Sequence, residues 1–182
     1  PLNDGNTVPL VSIIIPCYNG GAYLSDAIRS VLEQQYAPLE VIVVDDGSTD
    51  NTVEVAKQFG RDVSCIQQKH KGASSARNYG VELSRGQFLA FLDADDLWTK
   101  EKLEKQFEVL FSNPSCDCVF GHVEQFLSPE IESKPGACYQ FSPEPMPGRI
   151  PGTMAIHRDV FLRVGPFDDS LELGEMVDWI AR

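Results

Sequence analysis

Two hydrophobic periods alternate through the first two thirds of the chain, and this alternation restricts the fold more than any other feature. Residues 11–17 form a continuous apolar run rich in isoleucine, which is typical of a strand buried on both faces. Apolar residues then recur at helical spacing over residues 22–35. Strand–helix units of this length build a mostly parallel sheet with right-handed crossovers and helices on both faces.

The same two patterns assign the remaining elements. Further strands are predicted at residues 41–44, 63–67, 88–92, 117–121 and 153–157, and helices at 51–59, 73–83, 100–111, 158–164 and 172–182. Residues 128–150 are rich in proline and lack periodicity, so a long loop with one edge strand is expected there. The last helical pattern runs to Arg182 without a terminator, so we expect a fragment of a longer protein.

Composition excludes several classes of protein. The chain has 15 basic and 27 acidic residues and a net charge of -12, which argues against nonspecific binding to nucleic acid or to an anionic membrane. No apolar run reaches the roughly 18 residues of a membrane-spanning helix. Five scattered cysteines without a CxxC pair favour reduced thiols, and therefore a cytoplasmic location.

Carboxylates follow two of the predicted strands at their carboxyl ends. Asp45 and Asp46 follow the second strand, and Asp93, Asp95 and Asp96 follow the fourth. The ends of parallel strands meet at one edge of a sheet, so these five carboxylates are expected to crowd one crevice. Their mutual repulsion needs a cation or hydrogen bonds to offset it, and hard oxygen ligands suit Mg²⁺ or Mn²⁺ shared with a phosphate.

Four segments carry a resemblance to a known family. They are Ile14-Ile15-Pro16-Cys17-Tyr18-Asn19, Val43-Val44-Asp45-Asp46-Gly47-Ser48-Thr49-Asp50, Gly72-Ala73-Ser74-Ser75-Ala76-Arg77-Asn78 and Phe91-Leu92-Asp93-Ala94-Asp95-Asp96. In order and spacing they resemble the successive motifs of family 2 glycosyltransferases, which have the GT-A fold. The resemblance is close through Trp98, loose between residues 115 and 150, and recognisable again at Gly165-Pro166-Phe167-Asp168.

For the fold, the resemblance implies an α/β, GT-A-like domain with a Rossmann-like, mostly parallel sheet. After a tail at residues 1–9, one domain would span 10–182, with a nucleotide-sugar half at 10–125 and an irregular acceptor half at 126–182. For the function, it implies metal-dependent transfer of a sugar, with inversion, from a UDP-, GDP- or dTDP-sugar. The acceptor would be a saccharide or a lipid-linked hydroxyl, in cell-surface polysaccharide or glycoconjugate synthesis.

The resemblance also assigns roles to residues of the donor site. The nucleotide pocket would be lined by Pro16, Tyr18 and Asn19, and the nucleobase would be hydrogen-bonded by Asp45 or Asp46. The nucleobase or the diphosphate could be contacted by Lys71 and Arg77. The ribose would be approached by Asp93, and the metal would be bound by Asp95. In an alternative, purely structural role, Arg77 would be a surface residue paired with Glu82 or Asp46. His157, at the end of a predicted strand, is a further candidate metal ligand or acceptor contact, with a structural histidine as the default.

The general base is the point at which this sequence departs from the family. The family places it in a Glu-Asp pair at the start of a late helix, followed by a tryptophan. Here the segment is Glu175-Met176-Val177-Asp178-Trp179, so Met176 stands where the catalytic aspartate is expected. The candidates that remain are Glu175, one position before Met176, and Asp178, three positions after Glu175 and therefore on roughly the same side of the helix.

Two other functions stay open on the sequence. A nucleotide-sugar-binding protein that has lost its base fits the presence of Met176. A sugar-phosphate nucleotidyltransferase would need a basic, glycine-rich loop after the first strand, and residues 19–22 hold no Lys or Arg. Peripheral association with the cytoplasmic face of a membrane, through a region beyond Arg182, is a further expectation.

Overall fold

A six-stranded sheet forms the centre of the computed structural model, which describes residues 8–127, 142, 144–171 and 173–182. In chain order the strands are β1 (Val11–Cys17), β2 (Leu39–Asp45), β3 (Val63–Gln67), β4 (Phe88–Phe91), β5 (Cys118–Phe120), β6 (His122–Val123), β7 (Met146–Pro147) and β8 (Met154–His157). The large sheet has the order β3-β2-β1-β4-β8-β5, and β6 and β7 form a separate two-stranded ribbon.

Strand direction divides the sheet into two parts. β1 pairs in parallel with β2 and β4, and β2 pairs in parallel with β3, so Cys17 at the end of β1 lies opposite Asp45 at the end of β2. β8 runs antiparallel to both β4 and β5. His157, the last residue of β8, therefore lies opposite Phe88, the first residue of β4.

Helices cover both faces of the sheet. They are α1 (Leu24–Leu32), α2 (Thr52–Lys57), α3 (Ala73–Leu83), α4 (Lys102–Ser112), α5 (Arg158–Val164) and α6 (Glu175–Ala181), and a 3₁₀ turn spans Pro151–Thr153. Ile13 and Ile15 of β1 pack with buried residues of α1, α2 and α4, whereas Ile14 packs with those of α3, α5 and α6. Because β1 is buried on both faces, all seven of its residues are buried, as the unbroken apolar run predicts.

Close packing fixes α3 against the sheet. A Cβ at Gly80 would lie only 2.5 Å from Cγ2 of Ile14, so the glycine lets the helix approach β1 directly. Within the described ranges no helix is long and apolar enough to cross a membrane, and α3 and α4 have 11 residues each.

The predicted elements and the α/β, GT-A-like class are confirmed by this architecture. Helices α1 and α2 are shorter than their patterns, with nine and six residues, whereas α3 and α5 span the predicted residues. Most of the predicted loop at 128–150 lies outside the described residues, and its described part contributes β7, which pairs with β6. The last helix begins at Glu175, and Glu172, where its pattern starts, is also outside the described residues.

A polar network ties the sheet together at the edge where β1 and β4 begin. The buried Ser12 hydroxyl donates to Glu40 Oε2 at 2.6 Å and accepts from the Gly86 amide. Arg85 donates to Glu40 through its backbone N and through Nε, each at 2.8 Å. Partial burial raises the pKa of Glu40, but the hydrogen bonds and the charge of these partners together lower it by more. The pKa of Glu40 therefore lies below its ordinary value.

Replacing Glu40 with Gln is expected to lower the free energy of unfolding by about 1–3 kcal/mol at pH 7, because hydrogen bonds to an ionised group are lost. The folded-state pKa is depressed from 4.5, so this stabilisation is present above about pH 4.5 and is lost as the pH falls through the folded-state pKa. Urea denaturation across this range measures the difference between the wild type and Glu40→Gln.

The exposed Glu33–Lys100 pair supplies the control for this experiment. Glu33→Gln should change the free energy of unfolding by less than about 1 kcal/mol at any pH, because both of its side chains are more than half exposed. A Glu40→Gln deficit that stays constant down to pH 3 would show that the carboxylate charge contributes nothing.

Candidate active site

A cleft of about 500 Å³ opens at the carboxyl ends of β1, β2 and β4, where ligands bind in sheets of this type. The loops that follow these strands and the start of α3 form its walls. Of the residues predicted from the sequence, those that line it are Pro16, Tyr18, Asn19, Asp46, Arg77, Asp93 and Asp95.

Hydrogen bonds fix the loop after β1 against the loop after β2. Asn19 adopts a left-handed conformation with φ of 50°. Its backbone N donates to Ser48 Oγ at 2.8 Å, and its Oδ1 accepts from the Thr49 amide at 2.8 Å. The amides of Gly20 and Gly21 donate to Thr52 and Asp50 side chains. The glycine pair is therefore bonded to the neighbouring loop instead of presenting its amides to a phosphate.

An aromatic pair stands at one side of the cleft. The Tyr18 and His70 rings stack with centroids 4.1 Å apart, and Tyr18 is 49% exposed. His70 Nδ1 lies 2.9 Å from Asp46 Oδ2, which fixes the imidazole. Gly47, at φ of 79°, allows this approach, because a Cβ there would lie 3.0 Å from the His70 amide.

Asp46 organises the loop that leads into α3. Its carboxylate is buried and accepts from the amides of Lys71 and Gly72 at 2.9 and 2.8 Å and from Gln68 Nε2 at 2.7 Å. The Lys71 side chain is exposed and does not line the cleft. Asp46 therefore connects the end of β2 to the start of α3.

Asp45 has a similar internal role. Its two oxygens accept from the Ser48 amide at 3.1 Å and from Gln67 Nε2 at 3.0 Å, and the residue is fully buried. The expectation that five carboxylates crowd one crevice is therefore corrected, because Asp46, Asp93 and Asp95 line the cleft whereas Asp45 and Asp96 do not. Asp45 and Asp46 are each bonded to several protein donors, so the carboxylates after β4 remain the candidates for holding a cation.

The acidic group after β4 retains strong mutual repulsion. Burial, together with the charges of Asp93 and Asp95, raises the pKa of Asp96 to about 6. Asp95 is exposed and lines the cleft beside Asp93. Across the described part of the chain no group of three or more His, Cys, Asp or Glu side chains is arranged to hold a metal ion by itself.

Arg77 joins this acidic group to α6. The guanidinium is 4% exposed and donates from Nη2 to Asp93 Oδ1 at 2.6 Å and from Nη1 to Glu175 Oε1 at 3.0 Å. It pairs neither with Glu82 nor with Asp46, the partners that the structural alternative suggested. Glu175, 98 positions away in the sequence, is thereby joined to Arg77 of the cleft lining, although it does not line the cleft itself.

The three candidate positions of α6 point in different directions. Met176 is 4% exposed and packs in the core with Phe161, Phe167 and Trp179. An aspartate at this position would bury its charge in an apolar cluster. Asp178 forms an ion pair with Arg182 at 3.1 Å and is not joined to Arg77. Of the two candidate bases, the structure connects only Glu175 to the acidic group after β4.

A sequence model of the family described as Glycosyl transferase family 2 matches residues 12–165. The chain belongs to glycosyl transferase family 2. The resemblance carried by the four motifs is thus confirmed.

Curated proteins of other organisms are similar to this chain in sequence. A protein of Bacillus subtilis (strain 168), provisionally named the teichuronic acid biosynthesis glycosyltransferase TuaG, is 43% identical over 115 residues, which cover 61% of this chain and 45% of that protein. The chain spans about half the length of this relative, and it likewise spans only about half of another curated relative that it matches over 90% of its own length.

Two solved structures of glycosyltransferases are similar in fold. S. aureus TarS in complex with UDP has a TM-score of 0.72 and 21% identity, over 93% of this chain and 53% of that one. The Pyrobaculum calidifontis mannosyltransferase PcManGT, in complex with GDP-Man and Mn²⁺, has a TM-score of 0.71 and 24% identity, over 94% and 51%. At these identities the similarity establishes the GT-A-like fold of this family 2 chain and nothing further.

His157 is not brought to the cleft of this family 2 chain. Because β8 is antiparallel to β4, His157 lies beside Phe88, with ring centroids 4.2 Å apart, at the edge where β4 begins. Asp93 and Asp95 follow the other end of β4, so His157 does not join them in a metal site. It borders a second cleft with Phe111, Arg85 and Arg158 instead.

Two contacts, one of them in the cleft, are absent from the sequence-based prediction. The first is the stacking of His70 on Tyr18. His70 lies just before the third motif, and no sequence pattern indicated this contact. Asn78 forms two hydrogen bonds with Phe167, donating to its carbonyl at 2.8 Å and accepting from its amide at 2.9 Å. Asn78 and Phe167 both lie in quoted motifs, yet only the structure pairs them.

Proposed function

We propose that this chain is the donor-binding and catalytic domain of an inverting, metal-dependent glycosyltransferase that moves a sugar from a nucleoside diphosphate sugar to an acceptor hydroxyl. The observation that carries the proposal is the pair of contacts made by Arg77. They connect the acidic residues after β4, suited to a metal–diphosphate, with Glu175, suited to a general base. One guanidinium would thereby hold the base close to the site of the leaving group.

The nucleoside would lie against the loop after β1. Pro16, Tyr18 and Asn19 line that side of the cleft, and the exposed Tyr18 ring offers an apolar face to a base. Asp45 and Asp46 would act mainly by holding the surrounding loops, and one of them by hydrogen bonding the base. Lys71, exposed at the start of α3, would approach the diphosphate, whose negative charge it complements.

The residues after β4 fit a divalent cation that is shared with the substrate. Mg²⁺ and Mn²⁺ are commonly held by one or two carboxylates, with water and phosphate oxygens completing the shell. Asp95, assisted by Asp93, would supply those carboxylates. Burial and, to a smaller extent, the charges of Asp93 and Asp95 raise the pKa of Asp96, and a cation would relieve the part that comes from charge repulsion. When bound, the metal neutralises the charge that develops on the leaving nucleoside diphosphate.

Glu175 would accept the proton of the acceptor hydroxyl. As the hydroxyl oxygen bonds to the anomeric carbon, the bond from that carbon to the diphosphate oxygen breaks on the opposite face. One such displacement inverts the anomeric configuration. Asp178, paired with Arg182 on the outside of α6, is the second candidate for this role.

Cell-envelope polysaccharide synthesis is the setting that we propose for the reaction. TuaG, 43% identical over its matched part, is named for teichuronic acid biosynthesis. The four described cysteines are free, which suits the reducing cytoplasm. The acceptor would be a saccharide or a lipid-linked glycan presented at the cytoplasmic face of the membrane.

An activity screen tests the proposal. The chain is incubated with UDP-, GDP- and dTDP-sugars, with Mn²⁺ or with EDTA, and released nucleoside diphosphate is quantified. Mn²⁺-dependent release from one donor, and a product of inverted configuration by NMR, would support it. Tight binding of a nucleotide sugar without any turnover would favour a binding protein, for which the burial of Met176 at the expected aspartate position is the supporting observation.

A further inference from the structure

Arg77 is the one arginine of the described cleft lining, and its surroundings do not suit the role that the sequence suggested. Its side chain is 5% exposed, and both terminal nitrogens are engaged by Asp93 and Glu175. The two terminal nitrogens thus donate to carboxylates of the protein, while the buried Nε has no hydrogen-bond partner in the described part of the chain. A residue bound in this way is built to hold other side chains in place.

The helix that carries Glu175 has its own anchors. Met176 and Trp179 are buried in the core, and Trp179 Nε1 donates to the Gly165 carbonyl at 2.8 Å. The Trp179 ring also stacks on Phe161 with centroids 5.4 Å apart. These contacts fix the backbone of α6 without Arg77, so the ion pair chiefly determines where the Glu175 carboxylate lies.

The geometry of the pair requires an arginine. Nη1 reaches Glu175 and Nη2 reaches Asp93, so one planar group spans two carboxylates on different elements. A lysine ammonium is a single point charge and would favour one partner over the other. The side chain of Glu175 is only 18% exposed, so losing the guanidinium would leave a partly buried carboxylate free to rotate away.

We propose that Arg77 is a positioning residue for the acceptor step, which holds the Glu175 carboxylate beside the cleft and ties it to the donor loop at Asp93. This inference rests on the proposed function and replaces a nucleotide-contacting role for Arg77. It assigns to the third motif the task of linking the donor half to the base. Loss of Arg77 therefore impairs turnover more than donor binding.

A double-mutant cycle tests the inference. Arg77→Gln, Glu175→Gln and the double variant are compared for kcat, for KM of the donor and for calorimetric binding of the nucleoside diphosphate. Arg77→Gln is expected to lower kcat by about 100-fold, the cost of a misplaced catalytic group, with KM nearly unchanged. In the Glu175→Gln background it should lower kcat no further, because both changes remove the same function.

Matched variants separate positioning from folding. Arg77→Lys retains a buried cation and should therefore restore part of kcat. The control is Arg163→Gln, which removes an exposed arginine paired with Asp117 and should have wild-type kinetics. Trp179 fluorescence and the thermal midpoint report whether α6 stays docked. If Arg77→Gln does not fold, the cycle is run with Arg77→Lys.

Three results would overturn the inference. They are a weakened nucleotide affinity with unchanged kcat, multiplicative effects of the two substitutions on kcat, and a loss of kcat that merely follows loss of α6 docking. Each of these leaves the proposed transferase activity of the wild type standing. Absence of activity in the wild type itself would instead remove the proposed function, and the inference with it.

Discussion

Replacing Glu175 with Gln is expected to lower kcat by about 10²–10⁴-fold, the usual contribution of a general base, while donor affinity stays near that of the wild type. The amide retains the size of the side chain but cannot accept the proton of the acceptor hydroxyl. Glu175 lies on α6, outside the loops that line the nucleotide side of the cleft, so we expect it to make no contact with the nucleobase. Initial rates and calorimetric titration of the nucleoside diphosphate measure the two quantities separately.

Asp178→Asn is the matched control for this substitution. It removes a carboxylate from the same helix, and this carboxylate pairs with Arg182 on the exposed side. The change should leave kcat within a fewfold of the wild type. Full activity of Glu175→Gln together with a large loss in Asp178→Asn would transfer the role of base to Asp178.

Replacing Asp95 with Ala is expected to remove most of the effect of Mn²⁺ on nucleoside diphosphate binding. The carboxylate lines the cleft and lies beside Asp93, whose Oδ1 is engaged by Arg77. Asp95 is therefore the better-placed of the two to bind a cation shared with the diphosphate. Titrations of the variant with and without Mn²⁺ should give nearly equal affinities, whereas the wild type should bind more tightly with the metal.

The exposed Asp62 offers a control for the charge removed by this change. Asp62→Ala lowers the net negative charge equally and should keep the Mn²⁺ enhancement, because residue 62 lies in the turn before β3 and away from the cleft. An unchanged Mn²⁺ effect in Asp95→Ala would take Asp95 out of the metal-binding role.

The elements of the donor half could be predicted because each has a strong local signal. The apolar run of β1 can only be buried on both faces, and the helical stripe of α1 needs one core-facing side. Once the first strands are parallel, the position of Tyr18, Asn19 and Asp93 at one edge follows from topology alone. Local pattern and connection rules are enough for this part of the site.

Other features depend on contacts that no local pattern encodes. The direction of β8 does not follow from its short apolar run, and this direction sets His157 beside Phe88 instead of near Asp95. The bridge from Asp93 through Arg77 to Glu175 joins three elements and spans 98 positions. The side-chain donors to Asp45 and Asp46 come from β3 and the loop after it, so these carboxylates resemble metal ligands in the sequence but are already bonded in the fold.

Calorimetric titration of UDP, GDP, dTDP and CDP into the chain, each with and without Mn²⁺, tests the central claim most directly. We expect that one nucleoside diphosphate binds, that Mn²⁺ tightens its binding and that the cleft beside Tyr18 and Asp95 is responsible. Failure of all four to bind a folded sample with Mn²⁺ present would contradict the assignment of this cleft as a nucleotide-sugar site.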